Sequence, residues 1–435
     1  ISYSIFLIMN KNYKLVNKRS NCRICGNKKI KKIIDLGIMP LAGNFIKKKN
    51  IKKKEFKLPL DLYYCSKCNL VQIKDTVKSE VLFKKYNYSS STIPVLNDHF
   101  INYSKEIIKN YENKKNFKLL EFGCNDGILL SKLVKNKNFF CLGVDPSQNI
   151  SNLAKKKSIN IVNNYFNVST ANLILKKFNK FDYITASNVF AHIDDIHSVI
   201  EASKILLKDN GHLVVEVHYL MHLLNLNQYD FFYHEHVNYY SVNSLKFLFE
   251  KHDFIIKKIK QTKMHGGSLR VYLQKKKHIL KIKQQKVTKL INSEKKINIS
   301  FFKKFNKKIY EQKKEINKIL LDLIKRKKNI IGFGASGRGT TFLNYCNIDK
   351  KILNVNLLKG KASKSSFEIT NPLIFLKQKV SEITKFNSWS IFNIFLKFLS
   401  IIKILHCFKK SFAIIDNELI ISFIKYNPPP PNSIK

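Results

Sequence analysis

Residues 117–127 read FKLLEFGCNDG, an apolar run that ends in Glu121 and passes into Gly123, Cys124, Asn125, Asp126 and Gly127. A short apolar run bounded by glycines predicts a buried strand. Glycines in the turn let the backbone and a ligand approach each other closely. The turn opens into the helix-like stretch Ile128 to Val134, and a second strand, Phe139 to Val144, ends in Asp145. An acid at that place can hydrogen-bond two ribose hydroxyls. A third strand, Phe181 to Ala186, leads into Asn188 and His192, and a fourth, His212 to Val217, follows the helix-like Ile196 to Leu207. Strands alternating with helices predict a doubly wound α/β domain. The phosphate-type G-x-G-x-x-G is absent from this turn, so the expected ligand is S-adenosylmethionine (SAM) rather than NAD.

Further on, residues 230–240 read DFFYHEHVNYY, which sets His234 and His236 beside Glu235 and Tyr233. Histidine titrates near neutral pH, a carboxylate fixes its tautomer, and aromatic rings exclude water, so the cluster suits proton transfer. Two rivals remain open at this level. The histidines could alternate on a solvated strand, or point the same way and hold a metal.

Four of the eight cysteines form two pairs, Cys22-x2-Cys25 and Cys65-x2-Cys68, each in turn-like polar sequence. Two such knuckles complete a tetrahedral zinc site that can hold a core-poor module together. One pair alone would also fit a thioredoxin-like redox motif; two do not. Cys124, Cys141, Cys346 and Cys407 show no pairing and read as small core residues.

The 435 residues suffice for two or three domains, and 44% hydrophobic content makes the chain globular. Its formal charge is +49, yet only Arg19, Arg23, Arg270, Arg326 and Arg338 are arginines among 79 basic residues. Nucleic-acid readers rely on arginine forks, so the lysine excess reflects composition, and no specific nucleic-acid partner is expected. Residues 1–8 are apolar but too few for a membrane span, and Met9 is expected to be the true start, without a signal peptide. The apolar run from Trp389 to Phe408 is broken by Lys397 and Lys403, which argues against a membrane helix. A cytoplasmic monomer is the expectation.

A second glycine fingerprint follows the strand-like Asn329 to Phe333, with Gly332, Gly334 and Gly337 ahead of a helical Thr340 to Tyr345. The next strand-like run, Ile352 to Leu358, lacks the acid that NAD binding requires, but a helix N-terminus still suits the pyrophosphate of a nucleotide-linked substrate. Between the two α/β regions Phe302, Phe305, Ile309, Ile316, Leu320 and Leu323 recur at helical spacing, predicting a packing face rather than a membrane helix.

In this order the motifs resemble the zinc-containing three-domain SAM-dependent sugar C-methyltransferases that act on nucleotide-linked deoxysugars. The zinc module is matched by Cys22-Arg23-x-Cys25-Gly26, Asp35-Leu36-Gly37, Pro40-Leu41-Ala42 and Cys65-x2-Cys68-x-Leu70-Val71-Gln72. Glu121 to Gly127 resembles the methyl-donor loop, Asn188-Val189-x2-His192-Ile193 the site after the fourth strand, and Phe232 to His236 the catalytic segment. His265 to Arg270, Gly332 to Gly339 and Leu343-Asn344-Tyr345 extend the likeness to about residue 348. A leader is expected at 1–20, and the resemblance implies a zinc-binding domain at 21–85 and a Rossmann-like class I methyltransferase domain at 86–275. A helical connector at 276–328 and a C-terminal α/β domain at 329–435 follow, the last departing from the family. The tail from 355 onward is expected to be either frameshifted or diverged.

The implied cofactors are SAM, contacted by Glu121, Gly123, Asn125, Asp126, Gly127, Asp145 and Asn188, and a structural Zn2+ on Cys22, Cys25, Cys65 and Cys68. The implied reaction is methylation of carbon in a keto sugar, with His236 as the base and Glu235, Tyr233, His192 and Tyr88 positioning the sugar or stabilising the enolate. The alternatives are O- or N-methylation by the same fold, or a non-catalytic zinc-containing scaffold.

Overall fold

The computed structural model of the chain describes residues 15–42, 44, 55–84, 86, 88–278, 285–327, 329–333, 337–349, 351–352, 411–415 and 418–422. Residues 1–14 of the expected leader, with Met9, the run from Trp389 to Phe408 and the strand-like Ile352 to Leu358, apart from its first residue, lie outside them, whereas residues 15–20 are described and contribute a strand at Val16–Lys18. The chain divides into two compact units, Ile1–Lys307 and Lys308–Lys435.

In the first unit, β1 (Val16–Lys18), β2 (Lys31–Pro40), β3 (Lys57–Tyr64), β4 (Val71–Ile73) and β5 (Asp75–Val77) come first, then the short α1 (Ser79–Phe83) and the long α2 (Pro94–Tyr111). Next come β6 (Phe117–Phe122), α3 (Leu130–Leu133), β7 (Phe139–Val144), α4 (Gln148–Lys155), β8 (Asn160–Val162) and α5 (Val168–Phe178). They are followed by β9 (Phe181–Ser187), α6 (Ile196–Leu206), β10 (Leu207–His218), α7 (Leu220–Asn225) and β11 (Asn238–Tyr239). The last elements are α8 (Val242–Glu250), β12 (Phe254–Thr262), β13 (Ser268–Lys275) and α9 (Gln285–Glu294). α10 (Ile299–Lys325) runs across the division between the units.

Seven strands form one sheet in the order β12-β13-β10-β9-β6-β7-β8. β10, β9, β6, β7 and β8 are parallel, and β13 and β12 close the sheet antiparallel. The parallel strands are near-continuous apolar runs because helices cover both of their faces. Pro94 starts α2, and Leu96, Phe100, Tyr103 and Ile107 recur along one face that packs into the core around Phe117, Leu119 and Tyr183. Burying each of these large side chains stabilises by about 1.5–3 kcal/mol. The strand order reverses between β6 and β9, so the ligand crevice falls beyond the C-terminal ends of those two strands.

A second sheet has the order β11-β4-β3-β2. Its three long-range partners carry the cysteine knuckles, while β11 comes from the stretch that follows His236, pairing Asn238 with Gln72 and Tyr239 with Val71. The start of α10 lies on this sheet: the Phe302 ring is 5.3 Å from that of Tyr64, and Asn306 Nδ2 donates to the Ile33 carbonyl at 2.6 Å.

The second unit holds the rest of α10, β14 (Asn329–Phe333), α11 (Gly337–Cys346), β15 (Ser411–Ile415) and β16 (Glu418–Ser422). β14 runs parallel to β16, which pairs antiparallel with β15. Gly332 ends within β14 and Gly337 opens α11, whereas Gly334 lies outside the described residues. Among the described residues no helix is long and apolar enough to cross a membrane.

Candidate active site

Three constellations are built on the first unit. In the zinc module, Cys22 and Cys25 flank one tight turn and Cys65 and Cys68 another, each closed by a backbone hydrogen bond back to its first cysteine. The four Sγ atoms lie within 4.8 Å of one another, with Cys22 and Cys68 at 3.4 Å and Cys25 and Cys65 at 3.5 Å. Tetrahedral thiolate zinc with bonds of about 2.3 Å needs S···S separations near 3.8 Å, so these residues fit the ion. The thiols crowd one another: Cys22 and Cys68 hold Cys65 well below the usual thiol range, Cys65 pushes Cys22 up to about 12, and Cys22 with Cys65 pushes Cys68 up. A shared divalent cation lets all four ionise together.

The second constellation lies at the strand switch. Gly123 (φ +61°), Asn125 (φ +51°) and Gly127 (φ +72°) take left-handed conformations, folding the backbone tightly beyond β6. A Cβ at Gly123 would stand 2.3 Å from Val189 Cγ2 and one at Gly127 2.3 Å from Ile159 Cδ1, so a side chain at either position forces its neighbour to move. Asp145 Oδ2 accepts from Asn125 N and Oδ1 from Ser147 N, both at 2.9 Å, which locks the two turns together and leaves carboxylate lone pairs over.

Four buried atoms near these strand ends, Glu121 Oε2, Asp126 Oδ1, Ser187 Oγ and Asn188 Oδ1, lack a hydrogen-bond partner among the described residues. Buried polar atoms want partners, and a nucleoside with an amino-acid tail supplies them, so the crevice fits SAM. Burial pushes the Glu121 carboxyl well above its ordinary range and Asp145 up as well. The side chains of Asn125 and Asp126 reach outward. Asn125 Oδ1 accepts from Ser90 N at 2.9 Å and its Nδ2 donates to the Tyr88 carbonyl at 3.0 Å. Asp126 Oδ2 accepts from the hydroxyls of Ser89 and Ser91 and from Lys157 Nζ.

The third constellation is a buried cluster of histidines. His236 Nδ1 faces the Phe231 carbonyl at 3.1 Å, so that nitrogen carries the proton, and the lone pair at Nε2 accepts from the Tyr233 hydroxyl at 2.9 Å. The His236 ring lies 4.8 Å from His192 and 4.9 Å from His218. Burial, aided by both neighbours, pushes His236 well below its ordinary range, and burial pushes His192 down to about 4. Both rings are therefore neutral imidazoles at pH 7. Glu235 is pushed up by burial and receives the Tyr86 hydroxyl at 3.4 Å.

Of the five residues expected here, His192, Tyr233, Glu235 and His236 come together. Tyr88 is 36% exposed, with its ring 6.1 Å from that of Tyr86. The tyrosine that reaches Glu235 is Tyr86, two residues earlier, and no local signal distinguishes it from Tyr88 in the sequence. His218 at the end of β10 also went unread, because one histidine closing an apolar strand carries no local signature. His234 points the other way, its Nε2 donating to the Pro59 carbonyl at 3.2 Å. The two histidines of the segment therefore hold no common metal.

Against known families, a zinc-binding-domain model matches residues 22–83, a methyltransferase-domain model residues 98–258, and a C-methyltransferase C-terminal-domain model residues 263–367. With the doubly wound sheet and its glycine turn, this ordered set defines the chain as a SAM-dependent C-methyltransferase that carries a four-cysteine zinc-binding module. Among curated proteins it is similar to the C-methyltransferase NovU of Streptomyces niveus, 26% identical over 337 residues that cover 77% of this chain and 80% of NovU. Among solved structures, magnesium protoporphyrin IX methyltransferase of Synechocystis with bound SAH is 14% identical with a TM-score of 0.33, covering 41% of this chain and 82% of that one. A SAM-dependent methyltransferase from Anabaena variabilis gives 14% identity and a TM-score of 0.33, covering 46% of this chain and 99% of the other.

Proposed function

We propose that the protein methylates a carbon next to the ketone of a nucleotide-linked keto-deoxysugar, with His236 as the base. The observation that carries this reading is the lone pair at the buried His236 Nε2, held in one tautomer by the Phe231 carbonyl. A C–H bond is no nucleophile until a carbonyl acidifies it and a base takes its proton. As the sugar enters, the Tyr233 hydroxyl gives up its hydrogen bond to Nε2; Nε2 then accepts that proton, and the C–H electron pair moves into an enolate. Glu235, whose carboxyl burial favours in the protonated form, and His192 stand beside it to hydrogen-bond the enolate oxygen. Tyr86 and Tyr233 hold Glu235 and His236 in place. SAM, when bound, supplies an electrophilic methyl whose transfer forms the C–C bond as the sulfonium C–S bond breaks.

In this reading Asp145 takes the ribose hydroxyls, and the backbone of Gly123 to Gly127 with Glu121 and Asn188 lines the rest of the cofactor. The side chains of Asn125 and Asp126 secure residues 88–91 against that turn. Zn2+ on Cys22, Cys25, Cys65 and Cys68 is structural, and the zinc module covers 21–85 with the methyltransferase domain at 86–275.

The test is an assay of purified protein with SAM against a panel of nucleotide-linked 4-keto sugars, with the product located by NMR. A new C–CH3 group beside the ketone is expected. Methyl on oxygen or nitrogen transfers the reading to O- or N-methylation, and SAM binding without turnover of any sugar leaves a scaffold.

A further inference from the structure

Arg23 sits between the two cysteines of the first knuckle, and its guanidinium is fully buried. Its Nε donates to Asp194 Oδ1 at 2.8 Å, and its Nη1 donates to the Ile73 carbonyl at 2.6 Å and to Gln72 Oε1 at 3.2 Å. Gln72 in turn accepts from Arg23 N and donates to the Asn21 carbonyl, which binds the knuckle to β4. Asp194 is two residues past His192.

A backbone ribbon runs beside this ion pair. Ile73 N donates to the Val237 carbonyl at 3.2 Å and Val237 N to the Ala191 carbonyl at 2.7 Å. Asn238 Nδ2 donates to the Ile193 carbonyl at 2.8 Å, and the Tyr240 hydroxyl to the Phe190 carbonyl at 3.1 Å. His236 and His192 therefore hang from adjacent rows of one hydrogen-bonded ribbon. Its outer row is β4, three residues beyond Cys68.

We propose that Arg23 is a positioning residue for the methyl-transfer site: through Asp194 it fixes the backbone that carries His192 beside His236, so that the zinc module sets the spacing of the two histidines. The Asp194 side chain is 38% exposed and also accepts from Arg19 Nη2 at 3.3 Å, but the Arg23 guanidinium is buried and donates to Asp194, Ile73 and Gln72 at once, which fixes direction as well as distance. Lysine at this place keeps the charge and loses the fork. The proposal rests on the reading of His192 as a site residue.

The test uses the full chain with zinc, comparing Asp194→Asn and Arg23→Lys with the parent by zinc content, SAH calorimetry, steady-state kinetics and NMR of 13C-labelled histidine rings. Both variants are expected to keep zinc and to bind SAH within about twofold of the parent. The loss of one charged hydrogen bond lowers kcat by about tenfold, with KM changed less, and Arg23→Lys falls between the parent and Asp194→Asn. The His192 ring resonance shifts in both. Asn238→Ala removes the second tie to this backbone without touching the knuckle and is expected to shift the same resonance, which keeps the test open if Asp194→Asn sheds its zinc. An unmoved His192 resonance with parental kcat in the zinc-loaded variants overturns the coupling. Parental activity in His192→Ala overturns instead the role given to His192, and the resonance shifts still judge the coupling.

Discussion

The Tyr233 hydroxyl donates to His236 Nε2 at 2.9 Å while the Phe231 carbonyl takes the proton on Nδ1, so the imidazole has one tautomer and one direction of basicity. Once Tyr233 yields Nε2 to the substrate, this base exchanges the acidified proton with solvent even without a methyl donor. In deuterated water with a 4-keto sugar nucleotide, His236→Ala is expected to slow deuterium uptake by ~10²- to 10⁴-fold. His234→Ala loses less, because its imidazole is committed to Pro59. Uptake at the parental rate in His236→Ala would place the base elsewhere, with His192 next in line.

The same histidines set a dependence of stability on pH. His192 is pushed down to about 4 and His236 also lies below its ordinary range, whereas both titrate near ~6.5 in the unfolded chain. Between those values the unfolded state binds more protons, so stability falls as pH drops from about 6.5 towards 4. Denaturant midpoints at pH 7 and pH 5 measure this. His192→Gln is expected to show a smaller drop than the parent, and an equal drop would contradict the assignment.

Metal analysis is expected to find one zinc per chain. Cys65→Ser should lose the ion and lower Tm by roughly 10 °C, the shift that a loss of a few kcal/mol gives in a domain of this size. Retention of both zinc and Tm would remove the closed four-cysteine site.

Asp145→Ala is expected to weaken SAM and SAH alike by ~10- to 100-fold, as for lost hydrogen bonds to a charged group. Calorimetry with both ligands decides, and unchanged affinities would move the ribose contact to another residue.

Gly123→Ala is expected to cost about 1–3 kcal/mol, since it forces a side chain onto a left-handed residue and into Val189. The urea midpoint reads this cost, and a neutral result would mean that the turn relaxes easily.

Much of this fold was readable from sequence where burial is local and continuous. Phe117–Phe122 and Phe139–Val144 stood out as apolar runs with turn glycines or an acid at their ends, and both are strands. The cysteine knuckles were equally legible because four ligands of one type in paired turns admit few other readings. β11 was not, since two residues carry no periodicity and its pairing spans the chain from Gln72 to Asn238. Nor could spacing reveal that Asn125 and Asp126 turn their side chains toward Ser89 to Ser91, or that Tyr86 reaches Glu235: those choices are made by neighbours distant in sequence.

The borrowed strand β11 also governs how such a protein can be rebuilt. A fragment ending at residue 85 would expose a sheet edge at β4, an invitation to pair with other chains, and a fragment starting at 86 would carry Asn238 and Tyr239 with no edge to join. The zinc module is therefore no interchangeable cassette. A chimera that takes it from a relative must take the ribbon through residues 190–194 and 236–240 as well, and splitting the chain between knuckles and sheet yields two aggregating halves rather than two domains.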